Sequence, residues 1–127
     1  MTGRFPPNFI ERAMNTASTP GPARTPPPPY YAVIFTSLRT EGDRGYGTMA
    51  DRMVELAADQ PGFLGIETAR NPDGLGISVS YWDSEENIAR WKAQAEHQVA
   101  QQTGQRVWYA DYQVRVARVG RAYGKPT

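Results

Sequence analysis

Tyr81-Trp82-Asp83-Ser84-Glu85-Glu86-Asn87-Ile88-Ala89-Arg90-Trp91 is the stretch in which the chain changes its period. Before it, Leu75, Ile77, Val79 and Tyr81 alternate with Gly76, Ser78 and Ser80, the repeat of two expected of a strand with one face buried. After it, Ile88, Trp91, Ala95 and Val99 recur at spacings of three and four, the repeat of a helix. At the junction Asp83 is placed to accept from free backbone N–H groups while Glu86 reaches back, a D-x-x-E form of the capping box. A strand therefore passes Trp82 directly to a helix N-terminus.

Working back from this junction, Asn71-Pro72-Asp73-Gly74 is a turn: proline presets φ at its second position and Gly ends it, which joins a strand at 63–70 to the one beginning at Leu75 as a hairpin. Upstream of Pro61-Gly62, the apolar set Met49, Met53 and Leu56 with Ala50, Val54 and Ala57 predicts a helix, opened by the break at Gly42, Gly45 and Gly47. Tyr30 to Leu38 is apolar on both faces and predicts a covered strand. Downstream, Thr103-Gly104 stops the second helix. From Trp108 to Val119 the chain alternates again, with Tyr112, Val114 and Val116 on one side and Asp111, Gln113 and Arg115 on the other. The order is β-α-β-β-α-β, a ferredoxin-like α+β unit: an antiparallel four-stranded sheet with both helices on one face. Tyr31, Val33, Phe35, Leu64 and Ile66 are then expected on the uncovered face, and a patch of that kind predicts a homodimer packed sheet against sheet.

Residues 1–29 hold eight of the eleven prolines and form an N-terminal extension; the body is expected over 30–123, with 124–127 as a tail. Within the extension Asn8 is placed to cap a short helix, and Pro26 to Pro29 are read as a stiff, inert arm rather than a signalling ligand. Fourteen basic and thirteen acidic side chains are interspersed, for a formal charge of +1, which argues against nucleic acid or an anionic membrane surface as the main partner. No apolar run approaches a membrane span, and no apolar core of a signal peptide is present, so a cytoplasmic location is expected. The chain has no cysteine, so neither disulfides nor a thiolate metal site can form. Asp83, Glu85 and Glu86 read as acids complementing a helix dipole rather than as metal ligands, and no phosphate-binding or serine-hydrolase motif occurs.

Several features together resemble one known family. They are Pro61-Gly62-Phe63-Leu64-Gly65 entering the second strand, Trp82-Asp83-Ser84-Glu85 at the junction, Trp91, Glu96-His97, and Trp108-Tyr109-x-Asp111-Tyr112 in the last strand. On these residues the chain resembles the antibiotic biosynthesis monooxygenase family, dimeric α+β barrels. The resemblance implies a homodimer and a cofactor-independent monooxygenase, with no metal or organic cofactor, acting on a small electron-rich aromatic such as a phenol or quinol. The alternative is a dimer of the same fold that binds a small molecule, or haem, without chemistry. Relative to the quinone-forming members, Trp82 matches their tryptophan, whereas Ser78 stands where they have an asparagine and Ile88 where they have a tyrosine. Relative to the haem-degrading members, Trp91 matches, but Gln101 stands in the place of their haem-ligating histidine.

The expected substrate-binding set is Trp82, Trp91, Ser78 and Tyr112, with Ser78 and Ser80 small enough to leave room for a planar ligand beside Trp82. Both tryptophans and Tyr112 also read as packing aromatics. His97 is the sole histidine, and its unperturbed pKa near about 6.5 suits proton transfer close to neutrality. Two placements are open for it. On an unbroken helix it lies on the solvent face with Arg90 and Gln101; the resemblance implies instead a break near Ala95 that would turn it into the cleft as the catalytic base.

Overall fold

A computed structural model describes residues 21–102 and 108–126, without the side chains of 98–102. The expected short helix at Asn8 and the stop at Thr103-Gly104 lie outside these residues. The elements are β1 (Tyr30–Arg39), α1 (Tyr46–Ala58), β2 (Phe63–Arg70), β3 (Leu75–Trp82), α2 (Glu85–Gln102) and β4 (Tyr109–Val119). All neighbouring strands are antiparallel, in the order β2-β3-β1-β4, which is the ferredoxin-like sheet expected from the sequence.

The hairpin between β2 and β3 closes as its residues dictate. Gly74 N–H donates to Asn71 O at 3.0 Å, Asp73 Oδ1 takes the Leu75 N–H, and Gly74 sits at φ +99°, where a Cβ is disfavoured. At the other end, Gly62 has φ +83° and its carbonyl accepts the Asp83 N–H at 2.9 Å, so the loop before β2 is tied to the β3–α2 junction. A side chain at Gly62 would collide with Asp83 and Asn87.

Two local expectations are corrected at this junction and in β2. The cap of α2 is Ser84, not Asp83: Ser84 Oγ accepts the Asn87 N–H at 3.1 Å and Ser84 O accepts the first helical bond from Ile88, while Asp83 holds the Asn87 side chain at 2.8 Å. In β2 the register shifts between Phe63 and Gly65, so Leu64 is the extra residue and Phe63 and Ile66 come to share a face.

The faces of the sheet are the reverse of the expectation. Tyr31 and Val33 pack against the buried cluster of Ala57, Trp82 and Ile88, and so lie under the helices rather than on the uncovered side. Cross-strand register carries Phe35, Phe63, Ile66, Ser78, Ser80, Val114 and Val116 to the same side. The face away from the helices carries Tyr30, Ala32, Ile34, Leu75, Ile77, Val79 and Tyr81. Part of it is covered by the arm at 21–29. Ala23 N–H donates to Glu67 Oε2 at 2.9 Å and lies over Gly65, and Thr25 Oγ1 donates to the Tyr30 hydroxyl at 2.9 Å. Leu38, Leu75 and Ile77 beyond the arm stay 39%, 44% and 46% exposed.

Candidate functional site

Trp82 closes β3 at the point where α2 begins, and it has no exposed surface. Its indole N–H donates to Ser80 Oγ at 2.9 Å, satisfying the one polar atom the ring brings into the core. Phe63 meets it edge-on with centroids 5.5 Å apart, and Trp91, in the second turn of α2, stacks on it at 6.0 Å with the rings 22° from parallel. Trp82 therefore stands behind Trp91, which is only partly buried.

From this pair the helix-side face of the sheet continues across β1 toward β4 as an apolar strip, called the trough below. Val33 and Phe35 of β1 pair with Val116 and Val114 of β4, and both β4 valines are about half exposed. On the other side Ser78 Oγ and Thr68 Oγ1 share a hydrogen bond at 2.8 Å, so the Ser78 hydroxyl is already partnered. Tyr112 lies on the rim, 40% exposed, with its ring 5.6 Å from Phe35 and 6.1 Å from Tyr109. Of the four expected binding residues, then, Trp91, Ser78 and Tyr112 line the trough, and Trp82 supports it from the core.

His97 does not join them. Helix α2 is continuous from Glu85 to Gln102 and His97 is exposed on it, so the break near Ala95 that would bring it to the cleft is absent. The unbroken run of strong helix formers around Ala93, Gln94, Ala95 and Glu96 accounts for the continuity. Gln101 lies in the same helix, but its side chain is outside the described residues. Among the described residues no three His, Asp or Glu side chains converge as metal ligands, and no helix is long and apolar enough to cross a membrane.

The far end of the trough holds a cluster that spacing did not reveal, because its members come from four elements. Tyr46 at the start of α1 lies between Arg39 of β1, whose Cζ is 3.8 Å from the ring centroid, and Arg70 of β2, at 5.9 Å. The Tyr109 hydroxyl donates to the Tyr46 hydroxyl at 3.5 Å, and Arg70 Nη2 donates to it at 3.4 Å. The Tyr109 ring meets Phe35 edge-on at 5.3 Å, which makes the cluster continuous with the trough floor. Burial, then the neighbouring Tyr46 hydroxyl, push the Tyr109 phenol well above its ordinary range, so it stays protonated and remains a donor. Arg70 also binds the buried Ser37 hydroxyl at 2.8 Å, which fixes the guanidinium against β1.

Comparison with known proteins agrees with this architecture. Residues 29–103 match the family model described as antibiotic biosynthesis monooxygenase. A Bacillus subtilis protein, YqjZ, described as uncharacterized, is 60% identical over 99 residues, covering 78% of this chain and 87% of that protein. The jasmonate monooxygenase ABM of Pyricularia oryzae is 33% identical over 94 residues, covering 70% of this chain and 43% of that longer protein. Among solved structures, a variant of SnoaB, a cofactor-independent oxygenase from Streptomyces nogalater, superposes with a TM-score of 0.64 over 76% of this chain and 98% of its own; at 14% identity that likeness is one of fold alone.

Proposed function

This chain belongs to the antibiotic biosynthesis monooxygenase family, and from that membership we propose that it is a cofactor-independent monooxygenase that oxidises a small electron-rich aromatic, a phenol or quinol. The observation that carries the reading is the trough itself: a stacked Trp82–Trp91 wall at one end, an apolar floor of Val33, Phe35, Val114 and Val116, and phenolic and guanidinium groups at the other. An aromatic ring can stack along such a strip, with hydroxyls at its Ser78–Thr68 edge and phenolic and guanidinium donors at its far end.

The chemistry asks little of the protein. An ionised phenol is itself the reductant: it gives an electron to dioxygen, the resulting radical pair combines at an activated ring carbon, and the hydroperoxide loses water. One oxygen atom becomes the new quinone carbonyl and the other leaves as water. The protein's part is to exclude bulk water, hold the ring, and stabilise the anion before oxygen arrives. Trp91 and Tyr112 serve as walls with Trp82 behind, and Ser78 with Thr68 supplies the polar edge of the floor. His97 is assigned no part. We further propose a cytoplasmic homodimer joined through the open sheet face, whose exposed Leu38, Leu75 and Ile77 call for a partner.

Oxygen uptake with a panel of naphthols, hydroquinones and catechols, in metal-free and flavin-free buffer, tests the reading; a flat trace across the panel would sink it. One observation favours the second reading, a binding dimer without chemistry. Ser78 and Ile88 replace the asparagine and tyrosine of the quinone-forming relatives, and here the Ser78 hydroxyl is engaged with Thr68 while Ile88 is buried in the core. Tight binding of such aromatics with no uptake would decide for it.

A further inference from the structure

The cluster of Arg39, Arg70, Tyr46 and Tyr109 does more than fasten the end of the sheet. Arg39 is held by carbonyls, donating from Nη1 to Trp108 O at 2.6 Å and from Nη2 to Gly42 O at 3.0 Å, with its face on the Tyr46 ring. Arg70 donates to Ser37 O, Ser37 Oγ and Gly74 O. Among the described residues no carboxylate bonds either guanidinium. The nearby acid, Asp43, turns its two oxygens to the backbone N–H groups of Gly45 and Gly47 at 3.0 Å each. The ion pairs Arg52–Glu55 and Lys92–Glu96 lie elsewhere, on helix surfaces. Two positive charges thus meet two phenols at the end of the apolar trough, and among the described residues no carboxylate is hydrogen-bonded to either charge.

The hydrogen-bond directions decide what this end can hold. The Tyr46 oxygen accepts from Arg70 Nη2 at 3.4 Å and from Tyr109 Oη at 3.5 Å, and neither bond uses its own O–H, which is left to donate to a ligand. The guanidinium N–H groups, by contrast, are mostly occupied by carbonyls and hydroxyls. What remains for a ligand is one strong donor, backed by two fixed charges that need not reorganise. A carboxylate, which prefers a two-pronged donor, is poorly matched; a single-oxygen anion is well matched.

We propose that Tyr46, supported by Tyr109, Arg39 and Arg70, forms an oxyanion-holding site that takes the ionised hydroxyl of a phenolic or enolic ligand. The proton goes to bulk water, so no basic side chain is required in the trough. In the oxygenase reading, on which the naming of this ligand as substrate rests, Tyr46 touches the reacting molecule and is a catalytic residue, while Arg70 and Tyr109 are positioning residues acting through it.

The test uses 4-nitrophenol, which ionises near neutrality, changes colour on ionisation and is not oxidised by dioxygen. Binding to the full chain is followed by quenching of tryptophan fluorescence, since Trp91 walls the trough and Trp108 lies 6.4 Å from Tyr46. The bound probe should ionise at a pH about one unit or more below the free probe, a tenfold or larger shift toward phenolate. Tyr46→Phe, which keeps the ring against Arg39, should still quench fluorescence but return the probe to its free titration, and 4-nitrobenzoate should bind no better than 4-nitrobenzamide. The inference is overturned if the probe does not bind, if its bound form titrates as the free form or higher, or if Tyr46→Phe behaves as the wild type. Because the probe reports binding and not turnover, a wild-type protein that shifts the probe yet consumes no oxygen with the panel of naphthols, hydroquinones and catechols would sink the oxygenase reading and leave the oxyanion site standing.

Discussion

The Trp82 indole N–H and the Ser80 hydroxyl, two residues apart on the same face of β3, are joined at 2.9 Å inside the core. The bond lets a tryptophan be fully buried without an orphaned donor, and it separates Trp82 from Trp91 by role. Ser80→Ala should lower stability by about 1–3 kcal/mol, because the buried indole N–H is left without a partner. Trp82→Ala should lower it by roughly 3–5 kcal/mol through the cavity it leaves. Trp91→Ala, removing the partly buried ring, should cost less stability than Trp82→Ala but reduce kcat/KM at least about tenfold. Urea unfolding and oxygen uptake on the three variants check the division; a Trp91 variant as unstable as the Trp82 one would make Trp91 core and not wall.

Alkali should unfold the protein through its tyrosines. Burial, with the hydrogen bond to Glu67 next, raises the Tyr81 phenol, and burial with the Tyr46 hydroxyl raises that of Tyr109. A folded pKa above the unfolded value, about 10, gives stability that is complete below that pH and declines as pH rises beyond it, because only the unfolded chain ionises there. Thermal midpoints should therefore be level from pH 8 to about 9.5 and fall above about 10. Tyr81→Phe, which cannot ionise, should shallow the fall; an equally steep decline would place the linkage elsewhere.

The sequence revealed elements more fully than faces. The β2–β3 hairpin was legible because Pro72 and Gly74 dictate a turn and the flanking residues keep a strict alternation. The side of β1 that meets the helices was not, since Tyr30, Ala32 and Ile34 are as apolar as Tyr31, Val33 and Phe35, and periodicity carries no side when both faces are apolar. In β3 the polarity ran opposite to the usual sense: Gly76, Ser78 and Ser80 lie beneath the helices, while Leu75 and Ile77 face outward. Trp91 and the trough wall could be found from helix spacing. The cluster of Arg39, Arg70, Tyr46 and Tyr109 could not, because four separate elements bring it together and no local pattern records it.

His97→Ala should leave kcat/KM within about twofold of the wild type, since the side chain is exposed on an unbroken helix and its loss removes no contact made in the transition state. The pH profile is the more telling measurement. With no histidine in the cleft, activity should follow the ionisation of the substrate, so that changing from a more acidic to a less acidic phenol moves the profile by about the difference between their pKa values. A profile fixed near about pH 6.5 for every substrate, and abolished in His97→Ala, would restore the histidine as the base.

The open face of the sheet makes the final prediction. The arm at 21–29 touches Gly65 and Glu67 of the edge strand β2 and Tyr30 at the start of β1, and the remaining apolar surface of Leu38, Leu75 and Ile77 is contiguous across β1 and β3, where Leu38 pairs directly with Leu75. Three neighbouring exposed aliphatic side chains on one sheet face are relieved of water when a second sheet covers them, and a two-fold axis lets one patch serve both subunits. Light scattering at micromolar concentration should then give twice the mass of the 14.1 kDa chain. Ile77→Glu places a charge at the centre of the patch and, opposite its own copy, a second like charge, so it should yield a monomer with the sheet intact by circular dichroism. His97→Ala, on the opposite side of the molecule, should remain dimeric. If Ile77→Glu stays dimeric while the wild type is a dimer, the subunits join through another surface, and the half-exposed Val114 and Val116 of β4 become the next patch to mutate.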